Sequence, residues 1–238
     1  GTHFRTVRNF QGKNIDIYRY ASRDSIIEEC ENSLKRLKTD YIDLYQLHWP
    51  DDITPFEETF GAIEKLVRQG KVRYVGVSNV TPEQMDEIGK IVPIVSLQMP
   101  YNMLDRSIEK EIVPYCIDTK KAILAYRPLE AGLLSGKIHP GDTWPQNDSR
   151  NVNPQFTYDS IRKTNAFLEL LKPLANEKKV TLAQLALRWA LDRPGITCVL
   201  AGSLNSAQAI ENARAANIML SKKDMNTISS ALMRLEVR

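Results

Sequence analysis

The sequence predicts an α/β protein built on a parallel sheet. Short apolar runs recur at about 41–48, 72–78, 93–98, 122–126 and 196–201. Amphipathic helical patterns separate them, which is the rhythm of βα units. The runs are almost continuously apolar, as in Ile94-Val95-Ser96-Leu97 and Ala122-Ile123-Leu124-Ala125-Tyr126, and this suits strands buried on both faces. A (β/α)8 barrel and a doubly wound sheet both fit the rhythm. No Gly-x-Gly-x-x-Gly string is present, which weighs against a doubly wound nucleotide-binding sheet.

The elements follow in order. Tyr18 and Tyr20 fall in a polar stretch that reads as irregular. Ser22 is a plausible N-cap, and Ile27, Cys30, Leu34 and Leu37 form one apolar helical stripe. Thr54-Pro55-Phe56-Glu57 reads as a capping box with proline at the first helical position, and Gly70 stops that helix. Thr81-Pro82-Glu83-Gln84 repeats the start signal. Later helices are expected from Arg162 to about Lys178, from Thr181 to Leu191, from Ser206 to about Ala213, and from about Lys222 to Leu235. Leu182, Leu185, Ala186 and Trp189 mark the buried face of the second of these. Residues 137–158 are rich in Pro, Gly, Asn, Asp and Ser and read as a long surface loop, either a substrate lid or a tolerated insertion.

Composition bounds the function. The chain has 238 residues, enough for one large domain with a substantial core, and it is read as a single domain over 1–238. A net charge of +3 gives no nucleic-acid footprint. No run of about 18 apolar residues predicts a membrane span. The first residues do not form a signal peptide, because no apolar stretch follows them. Cys30, Cys116 and Cys198 are three cysteines without a Cys-x-x-Cys pair, a pattern that suits a reduced, cytoplasmic setting. The three histidines lie far apart, and no metal site is expected.

The motifs narrow the reading. Leu34-Lys35-Arg36-Leu37-x-x-Asp40-Tyr41-Ile42-Asp43-Leu44 leads into His48-Trp49-Pro50. Then come Gly70-Lys71-Val72-Arg73-x-x-Gly76-Val77-Ser78-Asn79, Gln98-x-Pro100-Tyr101-Asn102, and Gly132-Leu133-Leu134-x-Gly136-Lys137. Taken alone, each residue has a plain structural explanation. A strand-end histidine, loop-capping Ser and Asn, a packed Tyr and turn glycines are all ordinary.

Together and in this order, the motifs resemble the aldo-keto reductase family, from about Ser22 to about Arg234. The pattern looks closest to bacterial and plant reductases that share a fold with potassium-channel β subunits. The resemblance implies a (β/α)8 barrel, of which the chain holds about the fourth to eighth βα units, with the N-terminal part of the domain missing. It implies NAD(P)H-dependent reduction of an aldehyde or ketone by reversible hydride transfer. The acid tyrosine and its aspartate and lysine partners are expected upstream of Gly1. Asp43, Tyr18, Tyr20, His3 and Lys13 match none of them. The same resemblance admits two other uses: a cofactor-binding or regulatory module with little catalysis, or an inactive fragment.

Residue by residue, the resemblance makes His48 the carbonyl-orienting histidine and Trp49 a substrate contact. Ser78, Asn79 and Gln98 would grip the nicotinamide carboxamide, and Tyr126 would stack on its ring. Arg127, Pro128, Leu129, Leu133, Gly136 and Lys137 resemble the loop over the pyrophosphate. Gly202, Ser203, Asn205 and Gln208 resemble the segment that holds the adenosine phosphate at a helix N-terminus. Glu211 and Asn212 match the adenine contacts. The cofactor is NADP(H) or NAD(H). Leu204 stands where NADP-preferring members carry a cation, so NADP preference is in doubt. The expected partner is a small carbonyl substrate, with no nucleic acid or membrane, in a monomer or homo-oligomer.

Overall fold

The structure, a computed structural model, describes residue 2 and residues 5–8 and 14–236. His3 and Lys13 lie outside the described residues. The chain divides into two compact units, the first comprising residues 1–99 and 109–124, the second 100–108 and 125–238.

The first unit opens with an antiparallel pair, β1 (Arg5–Arg8) and β2 (Asn14–Tyr18). The stretch before the first helix is therefore not irregular throughout: Tyr18 ends a strand. The alternation Asn14-Ile15-Asp16-Ile17-Tyr18 carries that signal. Helix α1 (Arg23–Leu37) starts at Ser22, whose hydroxyl accepts the Ser25 N–H, and ends at Lys38 in a left-handed cap. Then follow β3 (Ile42–Leu47), α2 (Phe56–Arg68), β4 (Val72–Ser78), α3 (Pro82–Gly89), β5 (Ile94–Pro100), α4 (Ile112–Asp118) and β6 (Ala122–Tyr126). The four strands lie side by side in the order β3-β4-β5-β6, and the β3-β4 and β4-β5 pairs are parallel.

The two faces of this sheet are set by sequence alternation. On β3, Tyr45 and Leu47 are buried, and the Tyr45 hydroxyl donates to the Ile26 carbonyl of α1 at 3.1 Å. Gly76 of β4 is a packing requirement. A Cβ there would meet Ser96 Oγ at 2.5 Å and Gln46 Cγ at 3.0 Å.

The start of α2 corrects one expectation. Its N-cap is Pro55, with no side-chain capping bond. Thr54 lies one residue too early and is held instead by Asp51, whose carboxylate accepts the Thr54 N–H and hydroxyl. Thr81, by contrast, forms the full box with Gln84.

The second unit holds α5 (Tyr158–Lys178), α6 (Leu182–Leu191), β7 (Ile196–Leu200), α7 (Ser206–Arg214) and α8 (Lys222–Glu236). Helix α5 begins four residues before the expected Arg162, because Thr157 caps it by accepting the Ser160 N–H. Thr181 and Gln184 form a second capping box at α6. Trp189 of α6 is fully buried and stacks on Tyr101 with centroids 5.6 Å apart. The 137–158 segment is more ordered than a plain loop. It holds 3-10 turns at Ser149–Val152 and Pro154–Phe156, and Phe156 and Ile138 join Leu133 and Ile161 in a small apolar cluster edged by Trp144. Among the described residues, no helix is long and apolar enough to cross a membrane.

Candidate functional site

In the first unit, three parallel strands end level with one another. Leu47 pairs with Val77, and Ser78 pairs with Gln98. His48 follows β3, Asn79 follows β4, and Gln98 lies near the end of β5. Parallel α/β sheets place their chemistry at this carboxyl edge. Polar side chains tie the edge together. The Ser78 hydroxyl donates to the Gln98 carbonyl at 2.9 Å. The Asn79 amide donates to the His48 carbonyl at 3.1 Å and to Ser78 Oγ at 2.8 Å. Asn79 has φ 58, in the left-handed region that Asn tolerates better than most residues.

His48 is partly buried, and burial pushes its imidazole pKa down. That favours the neutral ring, which donates one hydrogen bond and accepts another. Trp49, the next residue, carries the Arg19 guanidinium 4.1 Å from its ring centroid. Beyond it, Asp51 gathers the N–H groups of Ala21, Ile53 and Thr54. Burial acts to raise its pKa, but these bonds outweigh it and leave the carboxyl below its ordinary value.

In the second unit, a cavity of about 810 Å³ opens between the turn after β6 and the N-terminal end of α7. Arg127, Pro128, Leu129 and Lys137 line one side, and Gly202, Ser203, Gln208, Glu211 and Asn212 line another. The structure thus brings nine of the sequence-selected residues together. Tyr126, Leu133, Gly136 and Asn205 do not line this cavity. Tyr126 is half-buried at the end of β6, and its carbonyl accepts the Tyr101 N–H at 3.1 Å. Burial raises the pKa of its phenol. Leu133 is a core residue, and Gly136 (φ 72) turns the chain where a Cβ would meet Leu182 at 2.8 Å. Asn205 caps α7, its side chain accepting the Gln208 N–H at 2.9 Å.

The 202–204 segment is held in place by α7 itself. Gln208 Oε1 accepts the Leu204 N–H at 2.8 Å. The Asn212 amide donates to the Gly202 carbonyl at 3.2 Å and to Ser203 Oγ at 3.1 Å. The Glu211 carboxylate accepts the Thr181 hydroxyl at 2.8 Å. Leu204 lines the cavity yet is 94% exposed.

Sequence reasoning missed apolar lining residues such as Ile138 and Leu200 and, of more chemical weight, Asp148, Ser149 and Arg150. Asp148 holds Arg150 by two bonds, Nε to Oδ1 at 2.9 Å and a terminal guanidinium nitrogen to Oδ2 at 2.6 Å. These bonds bring the Asp148 carboxyl down to about 2. The Arg150 guanidinium also sits 5.3 Å from the Trp144 ring centroid. The only signal in the sequence was an Asp-x-Arg spacing inside a turn-rich segment.

A parallel sheet with a polar rim at its strand ends in the first unit, and a cation-lined cavity at a helix N-terminus in the second, define the class: an α/β protein. The comparisons narrow it to a family. Residues 13–233 match the Aldo/keto reductase family, and the chain belongs to that family of oxidoreductases. It is similar to aldo-keto reductase YhdN of Bacillus subtilis (strain 168), 39% identical over 92% of this chain and 67% of the relative. It is 35% identical to the NADH-specific methylglyoxal reductase of Escherichia coli (strain K12), over 92% of this chain and 68% of that one. Among solved structures, it resembles the glycerol dehydrogenase AKR11B4 from Gluconobacter oxydans, with a TM-score of 0.89 and 33% identity, covering 97% of this chain and 70% of that one. The chain spans between 58% and 68% of the length of three curated relatives. Its fold class is therefore the α/β barrel type of this family, and β3 to β7 correspond to about the fourth to eighth barrel strands.

Proposed function

We propose that the protein reduces an aldehyde or ketone to an alcohol with a nicotinamide dinucleotide, reversibly. One observation carries the reading: the second-unit cavity collects Arg127 and Lys137 next to the 202–204 segment that leads into α7. That donor set fits a diphosphate, since cations and the backbone N–H groups of a helix start both favour an anion. Arg127, Lys137 and Gly202 to Ser203 would hold the phosphates, and Glu211 with Asn212 the adenosine. Ser78, Asn79 and Gln98 would hold the carboxamide, and Tyr126 the ring. When bound, a reduced nicotinamide supplies a hydride to the carbonyl carbon.

The chain's own residues do the rest. His48, kept neutral by burial, donates a hydrogen bond to the carbonyl oxygen and so orients it and stabilises the charge it gains. Trp49 forms a wall for the substrate. The proton for that oxygen comes from a tyrosine acid of the family type. NADH is accepted at least as readily as NADPH. Leu204 brings no cation to the cavity, and the charge of Arg150 is already balanced by Asp148. The relative named an NADH-specific reductase supports the same reading.

The test is oxidation of NADH and NADPH with a panel of aldehydes and ketones. Turnover with at least one carbonyl is expected. Binding of either cofactor without turnover of any carbonyl points instead to a cofactor-binding module.

A further inference from the structure

We propose that Glu130 is a positioning residue for the phosphate side of the cavity, acting from behind the wall through Arg127 and Asn153. This rests on the reading that the cavity takes a dinucleotide.

Glu130 does not line the cavity and is 5% exposed. A buried carboxylate is costly unless it is paired and hydrogen-bonded. Here three donors converge on it. The Arg127 guanidinium reaches Oε1 at 2.8 Å, Asn153 Nδ2 reaches Oε1 at 3.1 Å, and Asn102 Nδ2 reaches Oε2 at 2.9 Å. Asn102 is fully buried, and its other atoms are also engaged. Its Nδ2 donates to the Arg127 carbonyl at 3.0 Å, and its Oδ1 accepts the Leu104 and Asp105 N–H groups.

Two of the three donors come from different segments that carry lining residues of the cavity. Arg127 belongs to the turn after β6, and Asn153 closes the 3-10 turn Ser149–Val152 that carries Arg150. The turn itself is held in an unfavourable conformation. Arg127, Glu130 and Ala131 have φ 55, 44 and 48, in the left-handed region that L-residues avoid. Such backbone persists only where its surroundings over-determine it. Filling the space would require only an apolar side chain. A carboxylate is needed to aim a guanidinium and to couple the two segments.

The experiment measures Kd for ADP and NADH, together with kcat and the cofactor KM, in the natural protein, Glu130→Gln, Arg127→Gln and the double variant. Glutamine keeps the shape but turns an N–H toward converging donors. A hydrogen bond to a charged group converts to about a 10- to 100-fold change in affinity. Glu130→Gln is therefore expected to weaken ADP and NADH by about that factor and to raise the cofactor KM alike. Its kcat at saturating cofactor should stay within about threefold. In the Arg127→Gln background, the same change should add less than about threefold, because residues acting as one unit are not additive. A merely structural role would lower thermal stability without this split. Should Glu130→Gln fail to fold, Asn153→Ala removes one donor and is expected to weaken ADP. ADP affinity like the natural protein's in Glu130→Gln, or in Asn153→Ala where that variant stands in, overturns the proposal, as does full additivity with Arg127→Gln. Failure of the natural protein to bind ADP or either dinucleotide overturns the proposed function instead.

Discussion

Leu204→Arg tests the cofactor reading most directly. Leu204 is 94% exposed on the cavity edge, so the leucine buries nothing and its loss should leave stability unchanged. A charge-assisted hydrogen bond to a 2′-phosphate is worth about 1.5–3 kcal/mol when sheltered. At so exposed a position, solvent screening brings the gain to about 1 kcal/mol or less. Two carboxylates of the same cavity, Asp148 and Glu211, also compete for the new guanidinium. The net expectation is about fivefold tighter NADPH, with NADH unchanged within about twofold. The gain should shrink as salt rises from about 0.01 M to 1 M, because the Debye length falls about tenfold. Titration of both cofactors by tryptophan quenching measures it. If the natural protein already binds NADPH far more tightly than NADH, Arg150 has left Asp148 for the phosphate, and the argument from Leu204 fails.

Three further outcomes are expected. His48→Ala should lower kcat/KM by about 10²–10⁴ and change cofactor Kd little, since the carbonyl loses its orienting donor; turnover near the natural level on several carbonyls would contradict the role. Gly76→Ala should destabilise by about 1–3 kcal/mol through overpacking against Ser96 Oγ, and adding Ser96→Ala should recover part of the loss; calorimetry showing no change in either variant refutes the packing argument. Asp148 should titrate near pH 2 by NMR, because Arg150 favours its charged form. A depressed folded pKa gives a contribution present above the ordinary carboxylate value of about 3.9 and lost as pH falls through about 2, so Asp148→Asn should remove that part of the acid transition. Titration near the ordinary value would show that the Arg150 link does not form.

What was legible in the sequence was local or periodic. Thr81 with Gln84 and Thr181 with Gln184 announce their helices within four residues, and the strand runs are mainly apolar, with alternate residues buried on β3 and β6. Thr54 misled because an acceptor three residues earlier, Asp51, competes for it. Helix α4 is short, contains Pro114 and has no side-chain cap at Glu111, so nothing in its sequence advertises it. The candidate site divides the same way. His48, Ser78 and Asn79 sit at strand ends that hydrophobic runs define. Arg150 sits in a segment without period, and its place in the cavity depends on chain folding rather than on neighbours. Glu130 was invisible because its partners Asn102 and Asn153 are 28 and 23 residues away.

The ties among Ser78, Asn79, Gln98 and His48 also bear on how the strand-end rim should be probed. Order that protein groups supply during folding need not be supplied again when a ligand arrives, which favours affinity. The same economy gives each of these side chains two duties. Removing the Asn79 amide would withdraw a contact from a ligand and also release the carbonyl of His48, so alanine scanning here reads a shifted strand end together with a lost contact. Asn79→Asp keeps the shape but loses the same donors and adds a charge beside the His48 carbonyl, so it too reads both duties at once. Behaving as one mechanical part, the rim should show its substitutions as coupled rather than additive.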